Sequence, residues 1–179
     1  INKKPVSLEV IADEEKEMIK QAKILNKLSN NVYVKIPIMF TDGKSTINVI
    51  NELASEKIKL NITAIFLIEQ IKEILSCVKD SKSILSIFAG RLFDSGFDAV
   101  EEMKKINEFI KKESNCMSLW ASTRMSFDLV NAIRAKTDII TMQTSQLKKL
   151  KLFGKDRLQY SRETVSQFYK DAKESNYKI

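Results

Sequence analysis

Short apolar runs alternate with longer segments of helical period along the whole chain. The apolar runs predict strands at residues 6–11, 32–36, 60–66, 84–89, 117–121 and 138–141. Between and after these runs, apolar residues recur every three or four positions among charged ones, which predicts helices. The helices are expected at residues 14–28, 45–55 and 68–78, from residue 98 onward, and at 126–134, 147–152 and 163–173. The pattern therefore predicts six consecutive βα units.

Strands as apolar as these, joined by helices, indicate a parallel sheet covered by helices, either doubly wound or closed as a barrel. Five successive strands carry polar residues within or just after their C-terminal ends, namely Glu9, Lys35, Asn61 with Thr63, Ser86 and Ser122. A doubly wound sheet gathers polar groups at one switch point, whereas every strand of a barrel can direct one to a common centre. The polar strand ends therefore favour a closed α/β barrel.

The composition fits one domain over residues 1–179 that does not enter a membrane. The chain has 179 residues, 44% of them hydrophobic, which suits a single core. No apolar run approaches the length of about 18 residues that a membrane span needs, and residues 1–5 lack the apolar middle of a secretory signal. Since Cys77 and Cys116 are the two cysteines, we expect free buried thiols in a reducing, cytoplasmic compartment rather than a disulfide.

Charge and residue content exclude several classes of function. The net charge is +7, but the lysines are interspersed with acidic residues as on solvated helix faces, so we expect no nucleic-acid partner. The absence of histidine excludes imidazole bases, Ser-His and Cys-His nucleophiles and His-ligated zinc. Two cysteines are too few for a four-cysteine metal site, and no glycine-rich phosphate loop is present. We therefore expect neither a metal nor a cofactor.

The strand-end motifs resemble, in order and spacing, those of the transaldolase family. They are Ser7-Leu8-Glu9-Val10, Val34-Lys35-Ile36-Pro37, Asn61-Ile62-Thr63-Ala64, Ser86-Ile87-Phe88-Ala89-Gly90-Arg91 and Trp120-Ala121-Ser122-Thr123-Arg124. The resemblance covers residues 5–171 and implies class I, Schiff-base aldolase chemistry. It also implies an α/β TIM (β/α)8 barrel, of which about six βα units are present. Such an enzyme of the pentose phosphate pathway transfers a dihydroxyacetone unit from sedoheptulose 7-phosphate or fructose 6-phosphate to an aldose phosphate. Sugar phosphates are then the expected partners, and a homo-oligomer remains open.

Lys35 is the candidate nucleophile. It lies between Val34 and Ile36 near the end of a strand, where partial shielding from water favours a neutral, nucleophilic amine. Attack on a ketose carbonyl would give a carbinolamine and then an iminium, which stabilises the enamine left when a carbon–carbon bond breaks. The alternative is a lysine whose side chain extends from the strand end to the surface.

Glu9 and Thr63 lie one strand to either side of Lys35 in chain order. The resemblance implies that they hold the water that carries protons during formation of the Schiff base, which is general acid/base work. The alternatives are that Glu9 only neutralises Lys35 and that Thr63 is an ordinary β-branched strand residue.

The other candidate residues are expected to bind the substrate. The resemblance implies that Arg91, Arg124 and Ser122 bind the phosphate, a task that suits the guanidinium fork. It also implies that Asn61 and Ser86 bind hydroxyls of the dihydroxyacetone unit, unless the barrel's own polar network satisfies them. Either arginine could instead form a surface ion pair, for instance Arg91 with Asp94.

Two further features are the aromatic residues and one departure from the family pattern. We expect Trp120, Phe66, Phe93 and Phe97 to pack in the core or at the barrel mouth rather than to stack on a cofactor. Met142-Gln143 departs from the Val-Pro that is usual after the last strand in relatives, which puts the shape of that loop in question.

Two alternative functions stay open. The family's barrel begins with two further strands, which bear an acid/base Asp and a Thr-Asn-Pro motif, and we expect these two βα units to be missing from the given sequence. A natural six-stranded protein would have to cover two open strand edges. One alternative function is an inactive sugar-phosphate-binding barrel. The other is the fructose-6-phosphate aldolase reaction, but those relatives carry Gln at Glu9 and Tyr at Phe88.

Overall fold

Parallel strands alternate with helices in the computed structural model, which describes residues 4–175. The strands are β1 Val6–Glu9, β2 Val32–Pro37, β3 Leu60–Ile65, β4 Ile84–Ile87, β5 Met117–Trp120 and β6 Ile139–Ile140. The helices are α1 Glu15–Asn26, α2 Ile47–Ser55, α3 Ile68–Val78, α4 Ala89–Asp94, α5 Ala99–Glu113, α6 Asp128–Arg134, α7 Thr144–Lys149 and α8 Arg157–Glu174, with a 3₁₀ turn at Leu150–Leu152. The predicted order of strands and helices is confirmed except for α4, which the sequence pattern did not predict.

The sheet is wound in one direction only. Its strands lie in the order β1-β2-β3-β4-β5-β6, and every neighbouring pair is parallel. A doubly wound sheet would reverse its strand order at a switch point, and this sheet does not. The six strands curl into a half-barrel with alternating helices, so the prediction of a partial TIM barrel is confirmed.

Element ends differ from the pattern where the chain leaves the sheet. Strand β4 ends at Ile87, and α4 begins two residues later, in a segment that the apolar pattern assigned to the strand. Helix α8 begins at Arg157 rather than at residue 163, and its cap Asp156 accepts a hydrogen bond from the Gln159 amide. Asp98 caps α5 as predicted, accepting hydrogen bonds from the amides of Val100 and Glu101 at 3.0 and 3.2 Å.

The main core lies between the sheet and the helices. Val34, Ile36, Ile62 and Leu85 are fully buried there, because alternate residues of each strand face the helices. A smaller cluster of Ile84, Leu119 and Ala121, with the partly buried Tyr33 and Phe88, lies separately from it. The register of the strands assigns this second cluster to the inner face of the half-barrel.

The aromatic residues pack as predicted with one exception. Trp120 is fully buried with its ring centroid 6.0 Å from that of Phe93, and Phe66 contacts Phe88 at 5.8 Å. Phe97 is instead 61% exposed, because it lies in the turn between α4 and α5 and not on a packed face. The packing expected of Phe97 is therefore wrong.

Both cysteines are free thiols in the structure. Cys77 is half-buried in α3, and Cys116 is buried just before β5. Burial raises the pKa of the Cys116 thiol, because desolvation disfavours the thiolate. Cys116 is therefore a packing residue with low nucleophilicity.

The chain divides into two compact units, Ile1–Met142 and Gln143–Ile179. The first contains all the strands described above. In the second, α7 begins with a reciprocal cap between Gln143 and Gln146, and every residue of α8 is exposed. Within residues 4–175, no helix combines the length and the apolar character that crossing a bilayer requires.

The segments that follow β4 and β5 approach each other closely at Gly90. Its amide donates to the Ala121 carbonyl at 3.3 Å, and a Cβ at this position would lie 1.6 Å from the Ser122 carbonyl oxygen. Because that oxygen belongs to the backbone, a side chain at position 90 would force the two loops apart.

We expect Gly90→Ala to lower the free energy of unfolding by about 3 kcal/mol, the upper end for overpacking, as measured by urea denaturation. Gly43→Ala is the control, since nothing lies within 4 Å of its added Cβ and only its positive φ of 86° is strained. The control should lose about 1 kcal/mol. Equal losses in the two variants would show that the close contact at Gly90 is unimportant.

Candidate active site

Strand register brings five of the predicted site residues to one face of the sheet. Glu9 pairs with Lys35, Lys35 with Asn61, and Pro37 with Thr63. Because side chains alternate along a strand, Glu9, Lys35, Asn61 and Thr63 face away from the helices, toward the interior of the half-barrel. Ser86 joins them through a hydrogen bond to Asn61.

Lys35 and Glu9 form the charged pair of this face. The Lys35 Nζ donates a hydrogen bond to the Glu9 Oε2 at 3.1 Å. The Lys35 side chain is 28% exposed and that of Glu9 is 48% exposed, so both groups remain accessible to a ligand. A carboxylate at this distance can accept a proton from the ammonium group and return one to a bound substrate.

Asn61 connects three strands. Its Nδ2 donates to the Ser7 Oγ at 2.9 Å, and its Oδ1 accepts a hydrogen bond from the Ser86 Oγ at 2.7 Å. Asn61 and Ser86 are buried, and these bonds fix their orientation. Sequence reasoning did not single out Ser7, although its position two residues before Glu9 on the same face was the available signal.

Thr63 has an unusual environment. Its side chain is only 2% exposed, and its Oγ1 has no hydrogen-bond partner among the described residues. The next residue, Ala64, has a φ of 59°, and the pairing of β3 with β4 shifts between Ile62 and Ile65. The strand therefore bulges directly after Thr63, as strands often do beside functional sites.

A cavity of about 520 Å³ opens on this face, within the size range of small-molecule sites. Its lining includes six of the predicted site residues, namely Lys35, Asn61, Thr63, Ser86, Phe88 and Ser122. Glu9, Arg91 and Arg124 do not line it but each contacts a residue that does. The Arg91 guanidinium carbon lies 5.1 Å from the Phe88 ring centroid, and the Arg124 Nη1 donates to the Ser122 carbonyl at 3.1 Å.

Asp94 binds Arg124 rather than Arg91. The Arg124 Nε lies 3.0 and 2.8 Å from the two carboxylate oxygens of Asp94. The ion pair suggested between Arg91 and Asp94 is therefore wrong, because the loop after β5 folds back toward α4. Hydrogen bonds from Arg124 hold the pKa of Asp94 below its ordinary value, and the same pair raises the pKa of Arg124.

Hydrogen bonds to a buried carboxylate fix the backbone of the loop after β5, which carries Arg124. Asp128 is fully buried, and its Oδ2 accepts hydrogen bonds from the amides of Arg124 and Met125 at 2.7 and 3.1 Å. Ser122 adopts a positive φ of 62°, which turns the chain out of β5 into this loop. Across residues 4–175, no three cysteine or carboxylate side chains come together as metal ligands.

Comparison with known proteins identifies the family. The chain matches the family described as Transaldolase/Fructose-6-phosphate aldolase over residues 1–179. It belongs to this family. The transaldolase resemblance of the strand-end motifs is thereby confirmed, and the Lys35 cavity is a candidate active site of a transaldolase-family barrel.

Similar relatives are named probable transaldolases. The chain is 33% identical over 148 residues to a probable transaldolase of Caldicellulosiruptor saccharolyticus, covering 82% of this chain and 65% of the relative. It is 35% identical over 147 residues to one of Methanococcus maripaludis, covering 82% and 65%, and 38% identical over 110 residues to one of Clostridium kluyveri, covering 62% and 48%. The chain thus spans less than two thirds of the length of these transaldolase-family relatives.

The buried hydroxyl of Thr63 predicts a difference between two threonines. A buried hydroxyl without a partner destabilises a fold, so Thr63→Val should leave the free energy of unfolding unchanged or raise it by about 1 kcal/mol. Thr46 is the control, because it is equally buried but its Oγ1 donates to the Pro37 carbonyl at 2.6 Å. Thr46→Val should lose about 1 to 2 kcal/mol in urea denaturation. Similar losses in both variants would contradict this description of Thr63.

Proposed function

We propose that this protein is a transaldolase in which Lys35 forms a Schiff base with a ketose phosphate. The observation that carries the proposal is the Lys35–Glu9 hydrogen bond of 3.1 Å on a polar inner face that also holds Asn61, Thr63 and Ser86. An amine beside a carboxylate, at the edge of a cavity large enough for a sugar phosphate, suits imine chemistry. The proposed reaction belongs to the pentose phosphate pathway of the cytoplasm.

The first half of the reaction forms the imine. Glu9 takes a proton from the Lys35 ammonium, and the free Nζ bonds to the C2 carbonyl carbon of the ketose while the carbonyl oxygen becomes a hydroxyl. Loss of that hydroxyl as water requires a proton, which Glu9 returns, and leaves an iminium. The Thr63 hydroxyl lines the same cavity as Lys35 and has no hydrogen-bond partner in the described part of the chain, so it is available to orient the departing water.

The second half breaks and remakes a carbon–carbon bond. The C4 hydroxyl loses its proton to the acid/base Asp that the resemblance implies for the family's first two strands. The C3–C4 bond then breaks, its electron pair moves toward the iminium, and an aldose phosphate leaves. The resulting enamine attacks the aldehyde of a second aldose phosphate by the reverse steps. The second Nδ2 hydrogen of Asn61 donates to one dihydroxyacetone hydroxyl, and the Ser86 Oγ accepts from another. These bonds hold the enamine between the two events, since Asn61 and Ser86 are already oriented by each other.

Phosphate recognition is assigned to Arg91, Arg124 and Ser122. Arg91 contacts Phe88, Arg124 contacts Ser122, and both contacted residues line the cavity. Charge-assisted hydrogen bonds from a guanidinium select a phosphorylated sugar over a neutral one. The fructose-6-phosphate aldolase reaction is the second candidate within the family, and Glu9 and Phe88 favour transfer over release of free dihydroxyacetone.

Borohydride reduction in the presence of fructose 6-phosphate tests the nucleophile. We expect a sugar-derived mass on the peptide that contains Lys35, detected by mass spectrometry, because reduction fixes the imine. Lys35→Ala should abolish both the adduct and turnover while leaving the circular dichroism spectrum unchanged, since the Lys35–Glu9 pair is partly exposed and adds little stability.

Lys59→Ala is the matched control, because Lys59 directly precedes the neighbouring strand and its ammonium binds the Asn30 carbonyl. That variant should form the adduct normally. A label on another lysine, or none at all, would refute the assignment of Lys35. Binding of fructose 6-phosphate without any adduct would support the inactive sugar-phosphate-binding barrel.

Phe88→Tyr tests the choice between transfer and release. Phe88 lines the cavity beside Ser86, and a hydroxyl there could protonate the enamine before an acceptor arrives. We expect the variant to release more free dihydroxyacetone and to transfer less to glyceraldehyde 3-phosphate, a shift of about tenfold in the ratio of products. Phe66→Tyr is the control, because the Phe66 ring packs against the Phe88 ring. Equal release and transfer by the unmodified protein would favour the aldolase reaction.

A further inference from the structure

Asp94 binds the Arg124 guanidinium along one edge. Its carboxylate accepts hydrogen bonds from Nε and from Nη2, so the pair is bidentate. The Arg124 Nη1 donates on the other side to the Ser122 carbonyl oxygen at 3.1 Å. No other residue in the described part of the chain forms an ion pair with Arg124.

The geometry leaves two donors of the guanidinium available. Arginine has five N–H donors in a fixed plane. Asp94 uses the Nε donor and one Nη2 donor, and the Ser122 carbonyl uses one Nη1 donor. One donor on each terminal nitrogen remains, and a guanidinium donates readily to phosphate oxygens. Asp94 therefore leaves two donors of Arg124 available to a phosphate.

The surroundings of Arg124 explain why its side chain needs such a partner. The buried Asp128 holds the backbone of Arg124. Two residues earlier in the chain, the Ser122 carbonyl packs against Gly90. The side chain itself is 37% exposed, so without Asp94 its long chain would sample many rotamers. Ordering it would then cost free energy each time a phosphate binds.

We propose that Asp94 is a positioning residue, which fixes the orientation of the Arg124 guanidinium so that its two remaining donors meet the phosphate of the substrate. This inference rests on the proposed function, because it assumes that Arg124 meets a phosphate. Asp94 touches neither the reacting carbon atoms nor the phosphate and acts through Arg124 alone. The opposite hypothesis, in which Asp94 competes with the phosphate for the Nε and Nη2 donors, predicts tighter phosphate binding when Asp94 is removed.

The experiment compares two carbonyl donors in borohydride trapping at Lys35, namely fructose 6-phosphate and unphosphorylated dihydroxyacetone. In Asp94→Ala, we expect the half-saturating concentration of fructose 6-phosphate to rise about tenfold, a typical loss for one charge-assisted contact. The half-saturating concentration of dihydroxyacetone should stay within about twofold, since it has no phosphate for Arg124 to bind. Asp94→Asn keeps one carbonyl acceptor and should lie between the parent protein and Asp94→Ala.

Glu102→Ala is the matched control. Glu102 forms a partly exposed ion pair with Lys105 on α5, at 2.8 Å. This substitution removes a similar surface carboxylate that contacts neither Arg91 nor Arg124. Fructose 6-phosphate and dihydroxyacetone should therefore both be trapped as in the parent protein. Titration of inorganic phosphate by calorimetry provides a second measurement, in which Asp94→Ala should weaken binding about tenfold.

The outcomes separate the inference from the proposed function. An unchanged half-saturating concentration of fructose 6-phosphate in Asp94→Ala would overturn the positioning role. A lowered half-saturating concentration of fructose 6-phosphate would show that Asp94 competes with the phosphate. Equal increases for fructose 6-phosphate and dihydroxyacetone would show a general structural role for Asp94. Either result would also overturn the positioning role. If the parent protein forms no adduct at Lys35 but Asp94→Ala still weakens phosphate binding, the proposed function fails and the positioning role stands.

Discussion

In-register pairing of parallel strands decides which side chains of this protein can meet. The strands are added one after another in a single direction, so each strand-end residue lies beside the corresponding residue of the next strand. Glu9, Lys35 and Asn61 are separated by more than twenty residues at each step, yet they form one row across β1, β2 and β3. A shift of one residue in any strand would turn its polar side chain toward the helices and break the row.

The loops after β4 and β5 depend on a second constraint, the close approach at Gly90. With no Cβ at that position, the Ser122 carbonyl can lie against the start of α4, and this contact brings Arg124 to Asp94. The buried Asp128 then holds the amides of Arg124 and Met125. The groups proposed for catalysis thus come from the sheet, whereas those proposed to bind phosphate come from α4 and from the loop after β5.

Much of this arrangement could be predicted from the sequence, because hydrophobic period and residue order carry it. The six strands, their parallel order and the placing of Glu9 beside Lys35 follow from apolar runs and from polar residues near strand ends. The strand-end motifs also predicted the family, which the comparison confirms. The roles of the individual site residues stay predictions.

What could not be predicted depends on contacts between loops. Helix α4 begins inside an apolar run, so periodicity assigned its first residue to the strand. Asp94 lies three positions from Arg91, and that proximity favoured the wrong partner; the actual partner, Arg124, is thirty residues away in sequence. The role of Ser7 depends on its hydrogen bond to Asn61, a contact that only the folded sheet creates.

A crystal structure of the borohydride-reduced adduct with fructose 6-phosphate tests the central claim most directly. The account predicts continuous electron density from the Lys35 Nζ to C2 of the sugar, with phosphate oxygens about 3 Å from the outer nitrogens of Arg124. It also predicts that the Asp94–Arg124 pair persists in that structure. Density that joins the sugar to another lysine, or a phosphate bound away from both arginines, would contradict the account.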